Sequence, residues 1–143
     1  MREDTIHLLE DCTAGIEMAV STMDGLLQDI HDRALRQKLR ESLRDHQQLR
    51  SRTVSLLREY GAQAKAPNPV AKSMAWLKTN ARMALGGDDT TAAYLVADGC
   101  DMGVKSLCRS RNRYAMANRS AVELAQELIR CEEQLSAGLR PFF

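Results

Sequence analysis

The sequence predicts an all-α protein: an antiparallel four-helix bundle made of two helical hairpins, joined by a long crossover that contains a short extra helix. Three observations carry this. Apolar residues recur at spacings of three and four along four long stretches, the period of one helix face. Aromatic residues make up only 4% of the 143 residues and there are three prolines, low for strands, which favour aromatic side chains. Finally, Asp11 to Met23 (DCTAGIEMAVSTM) is echoed by Asp98 to Leu107 (DGCDMGVKSL), so that Cys12, Gly15 and Ile16 fall in register with Cys100, Gly103 and Val104. The echo divides the chain into two similar halves, and within it Glu17 meets Lys105.

The first helix is expected over residues 4 to 30, with Asp4 as N-cap and Ile6, Leu9, Thr13, Ile16, Val20, Met23, Leu27 and Ile30 on its seam. Gly15 in its interior costs helix stability and suggests close approach of a neighbouring backbone. Helix two, residues 32 to 60, carries Leu35, Leu39, Ser42, His46, Leu49, Thr53, Leu56 and Tyr60, and Gly61 stops it as a C′ residue. So few residues separate the two that they should form a hairpin turning at His31 and Asp32.

Ala62 to Pro69 breaks the pattern, because the residue before each proline is pushed out of helix. A shorter helix follows, Val70 to Leu85 with Met74, Trp76, Leu77 and Met83, closed by Gly86 and Gly87. The length from Gly61 to Gly87 suits a crossover rather than a tight connection. The third long helix, capped by Asp88 or Asp89, spans 88 to 117 through Ala93, Val96, Cys100, Gly103, Leu107, Ser110, Tyr114 and Ala117, and Asn118 marks its end. The fourth, 119 to 140, runs through Ala121, Ala125, Leu128, Glu132, Leu135 and Leu139 before Pro141 and two phenylalanines, which are expected to tuck into an apolar pocket.

At this length residues 1–143 form a single domain with one core. Twenty basic residues against nineteen acidic ones give a net charge of +1, so no field favours nucleic acid or an anionic membrane. The opening MREDTIHLLEDC places acids where a signal peptide carries a positive region, and no apolar run approaches a membrane span, so a cytoplasmic location is expected. Cys12, Cys100, Cys108 and Cys131 contain no C-x-x-C pair and read as small buried hydrophobes. Met18, Met23, Met102 and Met116 read as core filling. No phosphate loop, dinucleotide fingerprint or Ser-His-Asp order is present.

Midpoints of antiparallel helices share a depth, and that depth collects Glu17, His46, Glu132 and one or more of Asp98, Asp101 and Lys105. His46 and Glu132 lie on their seams outright. Ionisable groups there cost several kcal/mol each, roughly, unless paired, hydrogen-bonded or bound to metal. Two hairpins, a long crossover, and carboxylates and histidine at mid-height resemble the ferritin-like superfamily, and specifically its small bacterial members without assigned activity. The resemblance implies that Glu17 matches the first-helix carboxylate, His46 the second-helix histidine and Glu132 the fourth-helix carboxylate of a di-iron site. However, Leu43 stands where the glutamate paired with His46 should be, Leu135 where a histidine should follow Glu132, and Lys105 in place of the third-helix carboxylate, with Asp101 one turn away.

The resemblance therefore implies a bundle that has lost oxidative chemistry, is not an enzyme, needs no cofactor and acts as a self-associating binding or scaffold module. In this reading Glu17 contacts Lys105 across the bundle, and His46 is a core histidine bonded to Glu132 or to a carbonyl. The alternative is a reduced metal site in which Glu17, His46, Asp101 and Glu132 hold one iron, manganese or zinc ion. A third reading places a peptide or small ligand in a groove beside Trp76.

Overall fold

The computed structural model describes residues 1–62 and 88–143. Among them are four long helices, α1 (Arg2–Leu27), α2 (Arg33–Glu59), α3 (Asp89–Arg113) and α4 (Arg119–Leu139), a short 3-10 turn over Arg140–Phe142, and no strands. The expected crossover helix and Trp76 lie outside the described residues. No helix among those described is long and apolar enough to cross a membrane.

The helices pack side by side as a bundle in which α1 borders α2 and α3, and α4 borders α2 and α3. Contacts between their ends fix this arrangement. At one end, the α-amino group of Met1 donates to the Met116 carbonyl, Arg2 to the Tyr60 carbonyl, and the Asn118 amide N–H to Thr5 Oγ1 at 2.8 Å. At the other, the Asp89 carboxylate accepts the backbone N–H of His31 (3.1 Å) and of Asp32 (2.6 Å), tying the α1–α2 turn to the start of α3. Burial pushes the Asp89 carboxyl up, but those two N–H groups together with the charges of His31 and Arg36 outweigh it and hold its pKa below the ordinary value.

Three helices start on side-chain caps. Asp32 accepts the N–H of Leu35, Asp88 that of Thr90, and Asn118 that of Ala121. Each satisfies a backbone donor that the first helical turn leaves without a partner. Asp4, expected as a cap, instead sits inside α1, which begins at Arg2, and its carboxylate accepts the Met116 N–H. Asn118 opens α4, while α3 ends earlier, at Tyr114. Because the Asn118 side chain also donates to the Tyr60 hydroxyl, it joins the ends of α2 and α4. Asn118→Ala should cost about 1–2 kcal/mol, a typical cap loss plus that bond, as read by urea denaturation. Gly61 adopts φ +70 after α2, a left-handed conformation that glycine alone takes without penalty.

The apolar faces form two clusters, one at each end. Met23, Leu26, Ile30, Leu35, Leu39, Val96 and Leu139 are among the first, and Leu8, Leu9, Ile16, Leu57, Leu107, Leu124 and Leu128 among the second. Phe142 packs against the first, as expected of a tucked terminus, whereas Phe143 is exposed edge-on to Tyr94. Met23 fills the core, but Met102 and Met116 are exposed. Met102 follows an outward-facing aspartate on α3, and Met116 lies beyond that helix. Cys12 and Cys100 are buried as expected, while Cys108 and Cys131 are only half-buried; all four are free thiols. At α2's end Leu57, not Leu56, is the buried leucine.

Candidate functional site

Between the two apolar clusters, His46 and Glu132 meet. His46 lies on the buried face of α2 with no exposed surface, and Glu132 on that of α4 with 6% of its surface exposed. His46 Nε2 bonds Glu132 Oε1, and His46 Nδ1 lies 2.8 Å from the Ser42 carbonyl and 3.7 Å from Cys131 Sγ. A carbonyl can only accept, so Nδ1 carries a proton and a second proton must lie between Nε2 and Oε1. Whichever atom holds that second proton, the pair as a whole is electrically neutral.

Burial by itself would lower the His46 pKa. Hydrogen bonds to Cys131 and Glu132 and the charge of the carboxylate more than reverse that, holding the ring up to about 10. Burial and the neighbouring Glu132 push the Cys100 thiol up, and burial and Asp11 raise Cys12 to about 12. Neither thiol is a nucleophile near neutral pH, since only a thiolate is.

The remaining expected site residues do not join the pair. Glu17 forms its ion pair with Arg50 of α2 on the half-exposed surface, not with Lys105 of α3, which is exposed. The expected contact fails because the repeat register aligns α1 with α3, while the side of α1 that bears Glu17 faces α2. Asp101 is exposed and accepts the Ser136 hydroxyl at 2.9 Å. Asp98 is also exposed. Of Glu17, His46, Asp101 and Glu132, the bundle brings together only His46 and Glu132. Among the described residues no group of three or more His, Cys, Asp and Glu side chains is placed to hold a metal ion.

Beside the pair, a cleft opens between α1 and α3. It encloses about 50 Å³ and is bounded by Gly15, Met18, Gly99, Gly103, Val96 and Leu128, with Glu132 and Cys100 also on its wall. The Glu132 carboxylate faces Gly103, where a Cβ would lie 3.7 Å from Oε2, an ordinary van der Waals contact. The expected close backbone approach at Gly15 is absent, since a Cβ at Gly15 or at Gly99 would meet nothing within 4 Å. Both glycines weaken their helices and instead border open space.

Reading the chain one helix at a time missed Ser42, Cys131 and Arg50 as partners. The signal for Ser42 was available, because it precedes His46 by four residues on the same seam and places its carbonyl within reach of the ring. Comparison with family models, with curated proteins and with solved structures found no match to this chain.

Proposed function

We propose that the chain is a ferritin-like antiparallel bundle of two hairpins joined through residues 63–87, that it carries out no oxidative di-iron chemistry, and that it serves as a cytoplasmic binding or scaffold module. The observation that carries this is that His46, the buried histidine of the mid-bundle layer, has both ring nitrogens engaged by protein groups. His46 spends both nitrogens on Glu132 and the Ser42 carbonyl. The donor set does not fit a di-iron centre, which draws carboxylates from all four helices and histidines from two. The end-to-end contacts between neighbouring helices support the antiparallel hairpins. The free cysteines support a reducing compartment. Self-association is supported by Tyr94, Met102 and Phe143, large apolar side chains left on the surface.

Metal analysis of untagged protein is the test. The expected result is substoichiometric iron, manganese and zinc. Stoichiometric metal that disappears in a still-helical His46→Ala variant would replace this reading with the metal-binding one. Light scattering on the same preparation should give a mass above that of one chain; a monomer at all concentrations removes the self-association.

A further inference from the structure

We propose that the cleft between α1 and α3 is a binding site for a small neutral molecule with an apolar body and a single O–H or N–H donor, which it directs to Glu132. The inference rests on the binding-module reading and supplies its ligand class.

Three observations converge on it. The first is space. An engineered apolar cavity that holds benzene measures roughly 150 Å³, so about 50 Å³ admits only a smaller body, such as a two-carbon alcohol. The second is the lining. Met18, Ala19, Met23, Leu95, Val96 and Leu128 supply apolar walls, and methionines adapt to varied shapes. Gly15 and Gly99 keep those walls apart at the expense of helix stability, although neither is forced to be glycine by a neighbour within 4 Å.

The third is the polar group on the wall. Glu132 is more than nine-tenths buried and lines the cleft. Its Oε1 is engaged by His46, its Oε2 lies on the Gly103 side, and among the described residues the Cys100 thiol, a weak donor, is the other polar group beside the carboxylate. A carboxylate oxygen has capacity for a further donor. This combination of a mostly apolar pocket with one placed polar group is how small-ligand sites fix orientation.

The charge state narrows the class. The His46–Glu132 pair is neutral as a unit, so it gives a cation no net countercharge against the cost of entering apolar walls. An anion would meet the carboxylate oxygen directly. A neutral donor avoids both costs.

The test uses the full chain and ethanol as probe, with chloroethane and acetate for comparison, read by methyl chemical shifts in 1H–13C spectra. Ethanol should shift the Met18, Met23, Leu95 and Val96 methyls saturably, chloroethane should bind the same place about tenfold more weakly, and acetate should not bind. Gly99→Leu, which grows into open space and improves helix propensity, should keep the fold and abolish the ethanol shifts. Gly25→Leu, on the exposed side of α1, should retain them. The proposal is overturned if ethanol leaves these methyls unmoved, if chloroethane binds as well as ethanol, or if Gly99→Leu binds ethanol unchanged. Each of those outcomes leaves the non-catalytic reading intact, because that one is decided by metal content.

Discussion

His46→Leu should lose about 3–5 kcal/mol of folding stability in urea at pH 7, the range found when one partner of a buried charged pair is removed. Glu132 would be left on α4 among apolar neighbours without the donor that Oε1 now uses. The carboxyl can limit that loss by taking up a proton, which sets an upper bound on the penalty. Glu132→Leu should cost less, about 1–3 kcal/mol. The ring can give up its second proton and keep Nδ1–H on the Ser42 carbonyl, leaving one nitrogen lone pair unsatisfied. The double variant His46→Leu/Glu132→Leu should recover most of the loss, since a pair of apolar side chains of similar volume often matches or exceeds a buried ion pair. The cycle would thus be strongly non-additive. Single variants that each cost under about 1 kcal/mol, or losses that add in the double variant, would mean that the pair is solvated or makes no mutual contact.

The asymmetry between the two single variants bears on what the polar layer is for. The pair places two ionisable groups between the two apolar clusters, and its net contribution over leucines is expected to be small. A polar contact at one height on α2 and α4 nevertheless penalises any sliding of one helix along the other by a turn, because His46 would then face leucine. It also presents a carboxylate oxygen to the α1–α3 cleft, which no leucine pair could do. In the proposed binding reading, register and recognition rest on the same two residues.

How much of this was legible in the sequence follows from what each signal encodes. The 3-and-4 spacing located four helices to within a few residues, because burial of one face is written in each helix by itself. It placed His46 and Glu132 inside for the same reason. Glu17 and Asp101 were misplaced because they flank a seam, and a flanking residue's partner depends on which helix lies on that side. Adjacency is a property of the assembled bundle. The internal repeat carried information of a different kind from that first read into it. Its aligned glycines, Gly15 and Gly103, both line one cleft, whereas its aligned charges, Glu17 and Lys105, do not meet. Space between two helices is set jointly by the small residues on both. A charge at the margin of a helix can turn to whichever neighbour offers a countercharge, and Arg50 does so here.

Stability should fall as the pH rises from about 7 towards 10, and the fall should be absent from the His46→Leu/Glu132→Leu variant. The ring pKa is held up to about 10 in the folded protein against an ordinary 6.5. A pKa raised on folding means that the native state binds the proton more tightly. The stabilisation is therefore complete below pH 6.5 and is lost as pH climbs through the folded value. Within that window the native state carries one more proton than the unfolded chain, giving a slope of about −1.4 kcal/mol per pH unit and a total loss of several kcal/mol. The physical cause is that an unprotonated ring would leave the buried Glu132 carboxylate with no donor from His46. Cys12 and Cys100, whose thiols are also raised by folding, add a loss of their own only above their ordinary value of 9.0. The measurement therefore belongs between pH 7 and 9, as urea midpoints of both proteins at constant ionic strength. A wild-type midpoint that stays level across that range, or a double variant that falls in parallel with it, would show that no proton is held between His46 and Glu132.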